Sequence, residues 1–297
     1  MPILPNDSAH TGTVVLVTGA SGGIGLAVVQ QLLAAGYHVV ATALPMSVEV
    51  IPEQVRSHPR CAIVAADLRS LESINAVAQQ ACSIWGRVDV LVNNAGFSFR
   101  GVVEHMSVDE ELEQFAVNYF AAMELTRCLL PHFRQRGSGR IINVSSVSGM
   151  MAMPTMSSYS ASKWALEGGS EALWYEMRPL GISVTLVQPG FVNSEAFRKV
   201  RLPRRATTSA EPMDVYRAYY RYMSRFVNWL MQHTLATNTS VAKAIVRVVA
   251  SSRPPLRVQA TLDAWIFHAL RRFLPRRLYH PLLYALLPGV RQWGKKE

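Results

Sequence analysis

Tyr159 and Lys163 stand four residues apart in a stretch of helical period, Tyr159 to Met177, so both side chains fall on one helix face and their polar ends can converge. A phenol with a pKa of about 10 is a poor base at neutral pH, but an ammonium beside it favours the phenolate and lowers that value. Such a pair suits proton exchange with an alcohol or a carbonyl oxygen. Alone it is more often a chance feature of a helix face, so its weight comes from what accompanies it. Thr18-Gly19-Ala20-Ser21-Gly22-Gly23-Ile24-Gly25 follows an apolar run directly and opens a helical one. In that setting Gly19 allows a tight turn, Gly23 lets backbone N–H groups approach a pyrophosphate, and Gly25 permits close packing of helix on strand, with the anion at the helix N-terminus.

The elements that must position these residues show as an alternation. Short apolar runs at Val14 to Thr18, His38 to Thr42, Ala62 to Ala66, Val88 to Asn93, Arg140 to Ser145 and Ser183 to Gln188 read as strands. Between them, Gly25 to Ala35, Leu71 to Trp85, Leu112 to Arg136 and Tyr159 to Met177 read as helices. This is the pattern of an α/β Rossmann-type doubly wound parallel sheet with helices on both faces. After Gly190 come a basic, Ser/Thr-rich stretch, an aromatic helical one from Tyr216 to Trp229, a helix from Ser240 to Ala250 and a last strand from Leu256 to Ala260. Thr261 to Glu297 is apolar and basic, and helix breaks are expected at Pro275, Pro281 and Pro288. Residues 1–297 are therefore expected to form one domain: a core of about 13–260, a substrate lid of about 191–239 within it, and a helical C-terminal extension, 261–297.

The glycine loop, then Asn93-Asn94-Ala95-Gly96, then Tyr159-x-x-x-Lys163, then Pro189-Gly190, in that order, resemble the short-chain dehydrogenases/reductases, and within them the single-domain branch that holds hydroxysteroid and retinol dehydrogenases. The resemblance spans about residues 13–260. It implies an NAD(P)(H)-dependent oxidoreductase that interconverts a ketone and a secondary alcohol, with Tyr159 as general acid/base and Lys163 also holding the nicotinamide ribose. It implies that Ser146, thirteen residues before Tyr159, orients the substrate carbonyl, with Ser145 and Ser148 as rivals, and that Asn118 interrupts a helix and anchors a water leading away from the lysine. For the cofactor it implies contacts from Gly19, Ser21, Gly23, Ile24 and Gly25, an adenine-contacting pair Asp67 and Leu68, and the segment Asn94, Ala95 and Gly96. It further implies a nicotinamide-holding segment containing Pro189, Gly190, Val192 and Ser194, the last in place of the usual Thr. Asp67 reads equally as a cap for the helix from Leu71, and Asn94 equally as a structural residue. An acidic residue about 20 positions past the glycines would select NAD(H) through a ribose hydroxyl. Here Thr42-Ala43-Leu44-Pro45 offers none, while Ser21 and Thr42 offer hydroxyls, so the balance leans to NADP(H) with NAD(H) open.

Composition narrows the partners. Apolar residues make up 49% and charged residues 17%, which excludes a disordered chain and leaves surface apolar segments to explain. The net charge of +10 is concentrated late, with five basic residues from Arg198 to Arg205 and four from Arg271 to Arg277. There they are interleaved with Leu, Phe, Trp and Tyr, which suits a lid, an oligomer contact or an anionic lipid surface better than a duplex-binding groove, and no nucleic-acid-reading module is present. Cys61, Cys82 and Cys128 have neither pairing nor metal-ligand spacing, so no metal and a reducing, cytoplasmic compartment are expected. Met1 to His10 lacks the pattern of a signal peptide, and no apolar stretch is long enough to span a membrane. Met150, Met151, Met153 and Met156 lie where a substrate wall would form, and with the aromatic lid they suit a small lipophilic substrate: a steroid, a retinoid, or a fatty or polyketide chain. Relatives commonly pair through the helices around Asn118 and Tyr159, which implies a homo-dimer or tetramer. The competing function is a cofactor-binding regulatory or scaffold protein, whose expected mark, a broken tetrad, is absent here.

Overall fold

The computed structural model describes residues 12–193, 200–208 and 214–295. Strands β1 (Val14–Val17), β2 (His38–Ala43), β3 (Cys61–Ala65), β4 (Val90–Asn93), β5 (Gly139–Val144), β6 (Ile182–Gln188) and β7 (Arg257–Gln259) form one sheet in the order β3-β2-β1-β4-β5-β6-β7. Every neighbouring pair is parallel. Parallel strands need crossovers, and the crossovers cover both faces, which is why most of these strands are continuous apolar runs. Alternate residues serve opposite layers. Val15 and Val17 pack with Val28 and Leu32 of α1 (Gly23–Ala34) and Val241 and Ile245 of α9 (Asn238–Ala250). Val14 and Leu16 pack with Ile74 and Val77 of α3 (Leu71–Ile84), Leu125 and Phe133 of α5 (Ala122–Arg136), and Leu173 of α6 (Ser157–Met177). A short helix, α2 (Glu53–Arg56), lies between β2 and β3. The doubly wound, Rossmann-type sheet expected from the alternation is the observed fold.

Local chemistry sets the boundaries. The Ser70 hydroxyl caps α3 by accepting from the Ser73 N–H, and Ser107 and Glu110 form a reciprocal capping box at the start of α4 (Val108–Phe115). The expected cap from Asp67 is therefore not made: its carboxylate is taken by Arg69, 2.6 Å from Oδ2, and Ser70 is nearer the helix. The expected helix from Leu112 to Arg136 is interrupted by a π-helical segment, Ala116–Ala121, between α4 and α5. Such widened turns carry an extra residue and gather at functional sites.

The C-terminal third holds α7 (Arg204–Thr208), α8 (Arg217–His233), α10 (Leu262–Phe273) and α11 (Arg276–Ala285). Pro275 separates α10 from α11, as expected, but Pro281 lies inside α11 rather than ending it. Pro281 is at the sixth position of α11, so the carbonyl its missing N–H would bond is that of Arg277, in the exposed first turn. Phe267 of α10 packs against both Met150 and Met151 and the cluster of Phe191, Met223, Val227 and Met231. The aromatic helix α8, the methionine wall and the tail thus meet. On the flank, the Tyr220 hydroxyl of α8 lies 2.9 Å from His105 Nδ1 and accepts from the Val102 N–H, and the Tyr216 hydroxyl donates to Glu104 at 2.6 Å.

Candidate active site

The residues singled out from the sequence gather at the carboxyl ends of the strands, where open α/β sheets bind ligands. The direction of winding reverses between β1 and β4, and the glycine loop lies at that switch point. Gly19 has φ +70°, and a Cβ there would fall 2.8 Å from Ala95 Cα. A Cβ on Gly25 would fall 2.1 Å from the Gly19 carbonyl oxygen, so the close approach of α1 to the loop requires glycine. Helix α1 starts after Gly22 with no side-chain cap and no acidic residue in its first turn, which leaves its N-terminal N–H groups and positive dipole end for an anion. Ser21, Gly23 and Ile24 line this start half-buried. A glycine cradle that side chains would fill, at an uncapped helix start, fits a dinucleotide.

Asn94 serves this loop from the end of β4: its amide donates to the carbonyl oxygens of Thr18 at 2.9 Å and Gly19 at 3.2 Å. The Thr18 hydroxyl in turn accepts from the Asn94 and Ala95 N–H groups, both at 3.0 Å. The structural reading of Asn94 is thus realised, and Thr18, not singled out beforehand although it opens the motif, is its counterpart. Leu68 and Val192 are buried, one in each of the two core layers. The Asp67 carboxylate, bonded by Arg69, is held below its usual range chiefly by that hydrogen bond. Thr42 is 1% exposed in β2, so its hydroxyl is enclosed rather than available, whereas Ser21 is half-buried. Ser194 lies outside the described residues.

Tyr159 lies in the first turn of α6, just after Thr155, which has φ +66°, a left-handed conformation costing a non-glycine residue roughly 1–2 kcal/mol. The Gly101 N–H holds that turn by donating to the Thr155 carbonyl at 2.8 Å. The Tyr159 hydroxyl is hydrogen-bonded to Ser146, which follows β5 and whose Oγ also accepts from the Ser148 N–H at 3.1 Å. Of the other two serines, the Ser145 hydroxyl makes no hydrogen bond among the described residues, and Ser148 meets Ser146 through its N–H. Lys163 is 4% exposed, with Nζ donating to the Val144 carbonyl at 2.9 Å and standing 5.9 Å from the centre of the Tyr159 ring. Asn118, in the π-helical segment, accepts from the Phe97 N–H and donates to the Phe97 carbonyl and the Ser162 hydroxyl, each at 3.0 Å. A Cβ on Gly96 would lie 3.0 Å from Asn118 Oδ1 and 3.7 Å from Lys163 Nζ, so Gly96 leaves the gap in which Asn118 and Lys163 face one another.

The electrostatics differ from the sequence expectation at one point. Burial raises the Tyr159 phenol above its ordinary range, and the hydrogen bond to Ser146 only partly opposes this. A lowering by Lys163 does not appear, because the ammonium is turned to the Val144 carbonyl and stands off the ring. Burial also lowers Lys163 to about 8, against the pull of Glu167 one helical turn on. Glu167 is itself held by Gln188 at 2.9 Å and by Arg257 of β7 at 2.9 Å, an arrangement that nothing in the spacing of these residues announces.

The sequence profile of the short chain dehydrogenase family matches residues 13–205. A protein of Anopheles gambiae described as dehydrogenase/reductase SDR family protein 7-like is 38% identical over 191 residues, which are 62% of this chain and 60% of that relative. A 3-ketodihydrosphingosine reductase of Bacteroides thetaiotaomicron is 30% identical over 274 residues, 92% of this chain and 96% of that one. Among solved structures, a short-chain dehydrogenase from Streptomyces avermitilis superposes with a TM-score of 0.75 at 33% identity, covering 92% of this chain and 99% of that chain. A metagenomic short-chain oxidoreductase in complex with NADP superposes with a TM-score of 0.65 at 27% identity, covering 85% of this chain and 98% of that chain.

Proposed function

The chain belongs to the short-chain dehydrogenase family, NAD(P)-dependent oxidoreductases acting on CH–OH and C=O groups, and on that premise we propose that it interconverts a ketone and a secondary alcohol on a lipophilic substrate, with Tyr159 as the proton-exchanging group. The observation that carries this reading is the convergence of Asn118 and Lys163 on Gly96, with Tyr159 beside Lys163 on the same helix and bonded to Ser146. Gly19, Ser21, Gly23, Ile24, Gly25, Asp67, Leu68, Asn94, Ala95, Gly96, Tyr159, Lys163, Pro189, Gly190, Val192 and Ser194 form the proposed cofactor site. When bound, the nicotinamide supplies the hydride to the carbonyl carbon or accepts it from the alcohol carbon. Ser146 holds the substrate oxygen, and Tyr159 gives it a proton as the carbon–oxygen double bond becomes a single bond. In this reading Lys163 holds the nicotinamide ribose, and Asn118 anchors the route by which the proton is replaced. Burial keeps the phenol in its protonated form, the form that donates to the substrate oxygen. With no carboxylate at Thr42-Ala43-Leu44-Pro45, where β2 ends, the balance favours NADP(H) over NAD(H). Met150, Met151, Met153 and Met156 form the substrate wall, residues 191–239 its lid, and 261–297 the flap behind it. A relative named as a 3-ketodihydrosphingosine reductase is in keeping with an apolar wall of this kind. Cofactor consumption, measured with NADP(H) and NAD(H) side by side against long-chain, steroid and retinoid ketones and short polar ones, tests this reading. Turnover of the lipophilic ketones is expected to exceed that of the polar ones, and a preference for the polar set counts against it.

A membrane-surface role for the tail has its own observation. Leu262, Trp265, Ile266 and Phe273 recur at helical spacing along α10, and Leu278, Leu282 and Leu286 along α11 and just past its end, all facing solvent, with Phe273 78% exposed. Arg272 and Arg277, both exposed, stand among them. An amphipathic helix turned apolar side out, with basic residues beside that face, suits an anionic lipid surface. Paired two-fold with a second copy, the same face would set like charges against each other. Among the described residues no helix is long and apolar enough to cross a membrane, so the contact proposed is peripheral. Intact protein is expected to sediment with vesicles of phosphatidylcholine and phosphatidylserine at low salt, and Phe273→Glu with Leu282→Glu to lose roughly tenfold or more of that partitioning. Sedimentation unchanged in the double variant, or a self-association that the variant abolishes, would count against a lipid partner.

A further inference from the structure

The segment Pro189 to Asn193 leaves β6 without regular structure, yet most of its backbone polar groups are held by other parts of the chain. The Pro189 carbonyl accepts from the Val147 N–H at 2.7 Å, the Phe191 carbonyl from the Thr234 hydroxyl at 2.9 Å, and the Asn193 N–H donates to the Ala236 carbonyl at 3.2 Å. The two remaining contacts come from the start of α10. The Gly190 N–H donates to the Thr261 hydroxyl at 2.8 Å, and the Phe191 N–H donates to Asp263 Oδ2 at 2.6 Å. Thr261 is the N-cap residue of α10, where a threonine oxygen ordinarily accepts from the helix's own first-turn N–H groups. Here it caps nothing in α10, and the oxygen is directed at Gly190 instead. Asp263, in the first turn, gains from the positive end of the helix dipole while it accepts a charge-assisted hydrogen bond from Phe191. The approach is close enough that a Cβ on Gly190 would lie 2.0 Å from the Asp263 carboxylate.

From this geometry we infer that Asp263 and Thr261 are positioning residues for the nicotinamide half of the cofactor site, acting through the backbone of Gly190 and Phe191. Both lie beyond residues 13–205, the part of the chain that the family profile matches. The inference rests on the reading that residues 189–194 hold the nicotinamide. It makes the tail part of the cofactor site: α10 fixes that segment at its start, and Phe267, further along the same helix, packs on the methionine wall.

Calorimetric titration with NADP(H) and NAD(H), and with ADP-ribose or its 2′-phosphate, which lack the nicotinamide, separates positioning from general stabilisation. Asp263→Ala is expected to weaken binding of the whole dinucleotide by about tenfold or more, the usual range for losing a hydrogen bond to a charged group, and to leave ADP-ribose within about twofold. Asp263→Asn keeps an acceptor and is expected to recover most of the loss. Thr261→Val, which removes one acceptor at constant volume, carries the same expectation in weaker form and decides the matter should Asp263→Ala not fold. Equal losses for both ligands, or no loss for either, would overturn the inference alone. A wild-type chain without affinity for any dinucleotide would overturn the cofactor reading and this inference together.

Discussion

Tyr159→Phe is expected to lower turnover by roughly 100- to 10,000-fold while leaving the dissociation constant of the cofactor within about twofold. The substitution removes one oxygen. That oxygen is the buried group bonded to Ser146, so the variant loses both the donor to the substrate oxygen and the partner of the serine hydroxyl. The ring remains, and with it the packing of the first turn of α6 on the segment held by Thr155 and Gly101. Burial already holds the phenol protonated, so its loss removes a donor rather than an ion, and the folded chain is not left with an uncompensated charge. Steady-state rates with a responsive ketone, beside fluorescence titration of the cofactor, check the split. A variant that keeps full turnover would remove Tyr159 from the chemistry, and one that loses cofactor binding in proportion would make it a structural residue.

The second large effect is expected at Gly25. In Gly25→Ala the new methyl group would sit 2.1 Å from the Gly19 carbonyl oxygen and 2.5 Å from Asn94 Nδ2. Neither neighbour can yield cheaply. Gly19 is pressed on its other side, where a Cβ would meet Ala95 at 2.8 Å, and the Asn94 amide is engaged by Thr18 and Gly19. The loop therefore has to open, at roughly 1–3 kcal/mol of stability, and the N–H groups meant for the pyrophosphate lose their common aim, so dinucleotide affinity should fall about 100-fold. Gly168→Ala is the matched control. It lies in α6 with nothing within 4 Å of the added Cβ, and the same methyl group there should stabilise by about 0.5–1 kcal/mol. Thermal melting and cofactor titration of the two variants check both signs, and a Gly25→Ala protein that melts and binds as the wild type does would refute the close-packing role.

What the sequence reveals of this molecule follows from how local each signal is. The alternation of short apolar runs with helical periods predicts all seven strands within one or two residues at each end, because a sheet covered on both faces demands uninterrupted apolar strands. Tyr159, Lys163 and the glycines are legible because spacing along a helix and a required turn are local properties. Asn118 is read as a helix interruption, and the structure gives that interruption its form, a π-helical segment. Contacts formed between distant segments are the part that stays hidden. Asp263 reaches Phe191 across 72 positions and Glu167 meets Arg257 across 90, and no periodicity or motif marks either pair. The direction of the Tyr159 shift is likewise hidden, because four-residue spacing places two side chains on one face but does not say that Lys163 turns to Val144. Thr42 misleads for a related reason: a hydroxyl at a strand end looks available until the burial of β2 is known.

The central claim is that this site moves a hydride between a cofactor and a substrate carbon while Tyr159 handles the proton. Its most direct test is to run the reduction with reduced cofactor carrying deuterium at both C4 positions of the nicotinamide and to examine the alcohol product by mass spectrometry. The account predicts one deuterium per product molecule, on the carbon that bears the new hydroxyl, with the hydroxyl proton drawn from solvent. A cofactor that binds normally but yields an unlabelled alcohol, or no alcohol from any of the lipophilic ketones, would contradict it.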